Sequence, residues 1–216
     1  AFVWLGMVSA AYAETAESIA DEAWKYLQLS DNFTYNRSDS ALWASLKALE
    51  LAKRSDDPEL LSQAHRSASI AFGDMGLYDE AIEQAYLAIA LIEKNELNDA
   101  EKRIADCYHS LAWFYTYLED TEKPLPLFHR ALSFSKRVLP TDSIGMANSF
   151  HAIGAYHYLY SLQMDSAIFY LTKAVDWYSR LDASAEEMLQ VLVELVNAYY
   201  LKPDIAKGDS VLAELR

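Results

Sequence analysis

Apolar residues return along this chain at intervals of three and four, the spacing that gathers side chains on one face of an α-helix. One kind of block carries Leu42, Leu46 and Leu49, or Ile168, Leu171 and Val175, an apolar stripe opposed by polar positions. A second kind reads Tyr108-x-x-Leu111-Ala112-x-x-Tyr115, Phe150-x-x-Ile153-Gly154-x-x-His157 and Leu192-x-x-Leu195-Val196-x-x-Tyr199, with a weaker copy at His65-x-x-Ala68-Ser69-x-x-Phe72. Within it a large, a medium, a small and an aromatic residue alternate as knobs and gaps. The two kinds of block take turns along the chain, which predicts two helices in each unit.

The second helix of each pair opens on a recurring phrase. It reads Asp39-Ser40-Ala41-Leu42, Asp79-Glu80-Ala81-Ile82, Asp165-Ser166-Ala167-Ile168 and Asp209-Ser210-Val211-Leu212, with a worn copy at Glu122-Lys123-Pro124-Leu125. Its third residue falls at 41, 81, 124, 167 and 211. A fixed period in this range marks stacked helical repeats. The aspartates place a carboxylate near each helix N-terminus, where free N–H groups and the dipole favour negative charge. Ala48, Ala88, Ala131 and Ala174 follow seven residues after the phrase position, two turns along the same face. Small residues there let helices approach closely. Proline is tolerated only in the first turn, so the third such helix is expected to start at or near Pro124.

These features resemble the tetratricopeptide repeat family, whose pattern is W-x-x-L-G-x-x-Y, then A-x-x-x-F, then A. The best single match runs from Gln63 to Asn95, with Gly76-Leu77-Tyr78-Asp79-Glu80-Ala81 as the inter-helix turn. The resemblance implies an all-α, right-handed superhelical solenoid of antiparallel helix pairs, about ten helices in all. Repeats are expected at roughly 16–55, 58–95, 99–139, 143–181 and 185–216, the last truncated, within an array spanning 14–216. The period exceeds the family's ~34 residues. The surplus is expected near Ser55–Pro58, Asn95–Asn98, Pro140–Ser143 and Leu181–Ser184, and a polar loop from Ser30 to Ser38 is expected in the first repeat.

Composition narrows the function. The 216 residues carry a net charge of −14, with 15 tyrosines and one cysteine. Nucleic acid is disfavoured as a partner, since phosphate contacts need clustered Lys and Arg. A basic or neutral partner is easier to accommodate. Cys107 can form no intrachain disulfide and reads as a buried thiol. There is no glycine-rich phosphate loop, no G-x-S-x-G and no H-E-x-x-H, so an enzyme is not expected. No cofactor is implied.

The first residues differ from the rest. Phe2–Val8 is apolar, and Ala11-x-Ala13 fits a signal-peptidase site, so 1–13 is expected to be the remnant of a signal peptide. The alternative is an ordinary apolar helix. On the first reading the array is extracytoplasmic, periplasmic or membrane-tethered; on the second it is cytoplasmic.

In the family the first helices line a concave surface that receives a peptide. Carried over by position, partner-binding residues are Arg66 and Asp74, then Asp106, His109, Trp113 and Tyr117, then Asn148, His151 and Tyr158, then Asn197 and Tyr200. Gln63 and Val193 fall on the same stripe, as do Ile70 and Ala155, for which packing is the favoured reading. Trp113 and Tyr158 suit packing and binding equally. His109 and His151 occupy equivalent positions in adjacent repeats, but two imidazoles make a poor metal site and no metal is expected. His65 and His157 read as core histidines and His129 as exposed. The expected function is a non-enzymatic protein- or peptide-binding module, the sensing or scaffolding part of a bacterial signalling protein. A free-standing structural adaptor is the alternative.

Overall fold

The computed structural model describes residues 2–33, 37–138, 143–181, 185–202 and 205–214, with the side chains at 2–16, 143, 185–187, 205 and 214 outside the description. Among the described residues the chain forms ten α-helices: α1 (Phe2–Phe33), α2 (Ser38–Ala52), α3 (Pro58–Asp74), α4 (Tyr78–Asn95), α5 (Ala100–Tyr117), α6 (Pro124–Arg137), α7 (Ser143–Leu159), α8 (Met164–Arg180), α9 (Ala185–Leu201) and α10 (Ile205–Glu214). The fold is an all-α helical repeat. Of the expected leader at 1–13, residue 1 lies outside the described residues, and 2–13, of which only the backbone is described, are part of α1.

Local chemistry sets the helix ends. Pro58 opens α3, and the Asp57 carboxylate caps it by accepting from the Glu59 and Leu60 amides at 2.9 and 3.3 Å. The turn into α4 needs Gly76, whose φ of +75° is left-handed. There the Leu77 amide donates to the Phe72 carbonyl at 2.9 Å, closing α3 as a Schellman motif. Pro124 opens α6, where the spacing placed it. Asp120 prepares that start by accepting from the Glu122 and Lys123 amides, both at 2.9 Å.

Two compact units emerge, one from 1–103 and 113–119, the other from 104–112 and 120–216. The first buries Ala23, Leu27, Ala48, Leu49, Leu60, Ala64 and Ala68 in one cluster drawn from α1, α2 and α3. The second buries Ala147, Ala167, Leu171, Ala174, Tyr178, Val191 and Leu195 from α7, α8 and α9. Ala41, Ala81, Ala167, Ala48, Ala88 and Ala174 are all fully buried. The phrase is therefore a packing seam. Serines of the partner helix reinforce it twice: Ser30 Oγ donates to the Ala41 carbonyl at 3.1 Å and Ser69 Oγ to the Ala81 carbonyl at 2.8 Å.

Two local expectations are corrected. The polar stretch from Ser30 is helical through Phe33, because Ser30 is buried and bonded rather than solvated. The fifth phrase does not open its helix. α10 starts at Ile205, and Gly208 packs against the Tyr200 ring, holding the earlier turn on α9.

Candidate functional site

The positions read as partner-binding gather in separate places. In the first unit, Trp113 and Tyr117 meet in a set of stacked rings. The Trp113 and Tyr117 centroids lie 6.1 Å apart and those of Tyr117 and Tyr78 5.3 Å apart, with Tyr78 and Phe114 following at 6.3 Å. Such spacings suit offset stacking. Asp74 closes α3 beside this stack, since a methyl group on the preceding Gly73 would meet the Phe114 ring at 2.3 Å. Partial burial raises the Asp74 carboxyl above its usual range. Tyr78 was missed by the sequence reading because it sits inside the turn motif, where the pattern signals a helix start.

Arg66 lies elsewhere in that unit. Its Nε donates to Gln63 Oε1 at 3.3 Å, and the pair borders a cleft of about 130 Å³ with Trp24, Asp31 and Ser67. Trp24 and Asp31 belong to α1, from which no partner-binding positions were carried over. Nearby, the buried Arg103 joins α5 to α3: its Nη1 donates to Glu59 Oε1 at 2.5 Å and its Nη2 to Ser62 Oγ.

In the second unit, Asp106, His109 and Asn148 line one small cleft of about 60 Å³, with Ser135, Gly145 and Ser149. Ser135 and Ser149 hydroxyls are hydrogen-bonded at 3.2 Å. The His109 ring meets Phe128 edge-on at 5.9 Å. Burial, with repulsion from His151 adding to it, pushes the His109 imidazole down to about 4. The ring is neutral at pH 7 and offers one donor and one acceptor. Asn148 accepts from the Tyr178 hydroxyl at 2.5 Å, which orients its amide.

The remaining positions are tied into their surroundings. His151 Nε2 and Glu194 Oε2 lie 3.0 Å apart with both side chains largely covered. Tyr158 packs against the α7–α8–α9 core. Asn197 is half-buried. The Tyr200 hydroxyl donates to Asp209 Oδ1 at 2.7 Å, and that bond raises its pKa. His65 and His157 are buried and His129 is exposed. Among the described residues His, Cys, Asp and Glu nowhere gather in threes as a metal ion requires, and no helix is long and apolar enough to cross a membrane.

Several solved structures share this fold. BtubC (BKLC) from P. vanneervenii aligns with a TM-score of 0.74 at 18% identity, covering 97% of this chain and 87% of that one. Aspartyl phosphate phosphatase F from Bacillus subtilis aligns at 0.67 and 13% identity, covering 91% of this chain and 59% of that one. YrrB, described as a TPR protein with an unusual peptide-binding site, aligns at 0.51 and 16% identity over 95% and 90% of the two chains. At such identities the likeness is one of fold. No curated protein sequence matches the chain. The model of the SusR N-terminal TPR domain matches residues 8–126, more than half of the 216, and the chain belongs to that tetratricopeptide-repeat family.

Proposed function

We propose that this chain is a non-enzymatic repeat module that binds a protein or peptide segment on its odd-numbered helices. A tetratricopeptide fold is a protein-interaction scaffold, and YrrB is a peptide-binding instance of it. One observation carries the assignment. The phrase alanines Ala41, Ala81 and Ala167 are fully buried in seams, while Tyr117, Asn148 and Tyr200 of the odd helices stay exposed. Rigid rings anchor a partner at little entropic cost, and amides and a neutral imidazole suit its backbone. The partner-binding set is Arg66, Asp74, Trp113 and Tyr117 in the first unit. In the second it is Asp106, His109, Asn148, His151, Tyr158, Asn197 and Tyr200.

The module serves as the sensing or scaffolding part of a larger signalling protein, outside the cytoplasm. The apolar leader-like run supports this, and so does the family's description as an N-terminal domain. Fusing residues 1–16 to an export-dependent reporter tests the location: reporter activity supports it, and a cytoplasmic reporter removes it. For binding, a displayed random-peptide library panned on the chain is expected to yield ligands that Trp113→Ala with Tyr117→Ala or His109→Ala weakens at unchanged fold. Ligands that ignore all of these, or a library that yields none, would overturn the assignment.

A further inference from the structure

The outward faces of the phrase-bearing helices differ in charge from repeat to repeat. Counted from the phrase position, exposed residues of α4 and α6 fall at the same places: Glu83, Leu87, Ala90 and Glu93 on one, Pro126, Arg130, Ser133 and Lys136 on the other. Spacings of three and four make each set one helix face. On α2 and α8 exposed cations are paired within the helix, Lys47 with Glu50 and Arg180 with Asp176, each at 2.9 Å. α6 departs from this. Arg130, Lys136 and Arg137 are exposed, and no aspartate or glutamate lies between Glu122 and Asp142. Among the described residues none of these three cations joins an ion pair. The Arg130 guanidinium lies 4.5 Å from the centre of the Tyr108 ring and that of Arg137 4.6 Å from the centre of Phe134, contacts that order both arginines. Partial burial holds the His129 imidazole below its usual range, and Lys136 adds to this with no carboxylate opposing. α4 is the converse. Asp79, Glu80, Glu83 and Glu93 are exposed and outside any ion pair among the described residues, and Lys94 is the helix's one cation.

We propose that the outward face of α6 docks the outward face of α4 from a second copy of this chain, in antiparallel helix-to-helix contact. Charge complementarity argues for this occupant. Antiparallel packing sets the acidic start of α4 against Lys136 and Arg137 at the end of α6, and Glu93 toward Arg130. The spans agree: about 15 Å from Glu83 to Glu93 and about 10 Å from Arg130 to Arg137 at helical rise, with long side chains to close the difference. Between the charges, Ala90 and Ser133 are small enough for the helices to approach, and Leu87, 41% exposed, gains cover. The −14 of each copy opposes association at long range, but at physiological salt charges beyond about 8 Å are screened and the contacting ones decide. The contact joins unlike faces, so it closes reciprocally in a two-fold pair or runs head to tail; either raises the mass in solution. It uses none of the odd-helix positions assigned to a peptide and does not rest on that assignment.

Sedimentation velocity of the chain at physiological salt, over a micromolar to near-millimolar series, reads the association. The weight-average mass is expected to rise with concentration. Arg130→Glu with Lys136→Glu, and separately Glu83→Lys with Glu93→Lys, should each weaken association by about tenfold or more, because like charges then face each other. An equimolar mixture of the two double variants should recover to within about threefold of the parent, since the reversed faces are complementary again. Lys47→Glu with Arg180→Glu changes the net charge as much as the α6 pair does and should leave association unmoved. Melting curves verify that each variant is folded. A chain that stays monomeric throughout the series, reversed faces that associate like the parent, a mixture that fails to recover, or a control that weakens association equally would overturn the proposal.

Discussion

Gly154→Ala sets two opposing effects against each other in the seam between α7 and α8. Alanine is the better helix former by about 0.8–1 kcal/mol at an interior position. Its methyl, however, would lie 2.8 Å from Leu171 Cγ, 2.9 Å from Cδ2 and 3.0 Å from the Leu171 backbone nitrogen. Leu171 is fully buried within the α7–α8–α9 core, and its backbone cannot yield without moving α8. Overpacking of this kind costs about 1–3 kcal/mol. The clash outweighs the propensity gain, and a net loss of about 1 kcal/mol is expected, or roughly 2–4 °C in Tm for a chain of this size. Gly208→Ala is the internal control. Its methyl would meet Tyr200 Cε1 at 2.6 Å, but that ring is 38% exposed and can swing away. Its Tm should stay within about a degree of the parent or rise. Scanning calorimetry of both variants measures this directly. If Gly154→Ala gains the full helix-propensity increment, the close seam is refuted, and with it the reading of the recurring small residues as packing devices.

The Arg103–Glu59 pair should respond asymmetrically to removal of either partner. Glu59→Ala leaves a buried guanidinium whose Nε already has no hydrogen-bond partner among the described residues, and a cost of about 2–4 kcal/mol in urea unfolding is expected. Arg103→Met removes that charge and should stay within about 1 kcal/mol of the parent; equal losses would mean the pair is not desolvated as described. The His109 pKa predicts acid sensitivity. A histidine whose folded pKa lies below its unfolded value binds fewer protons when folded. Its stability is therefore full above about pH 6.5 and is lost as pH falls toward 4. The shift corresponds to at most about 3 kcal/mol, and burial lowers His65, His129 and His157 as well, with the same sign. His109→Gln should lose less Tm than the parent between pH 7 and 4.5; parallel pH profiles would contradict the burial of this ring.

The helix pairs were legible because their signal is local and repeated. Alanines two turns apart, a proline at a helix start and a glycine at a left-handed turn each have one physical reading. What escaped depended on distant partners. Ser30 looks like the edge of a loop until Ala41 and Ser67 are found against it. Asn148 reads as an accessible amide, yet Tyr178, thirty residues on, orients it. His151 reads as one of a histidine pair, and its direct partner is Glu194, 43 residues on, a residue the period did not single out. At Tyr78 the helix-start signal masked a ring that completes the aromatic stack. Register alone could group positions by face; it could not say which of them the fold had already engaged.

The central claim is that partners meet the odd-numbered helices while the phrase-bearing helices hold the stack together. Amide hydrogen exchange on the chain with and without a library-selected peptide tests this most directly. Slowed exchange is predicted in α3 and the ends of α5, or in α7 and α9, with α2, α6, α8 and α4 beyond its first turn unchanged. Protection confined to the even-numbered helices would contradict the account.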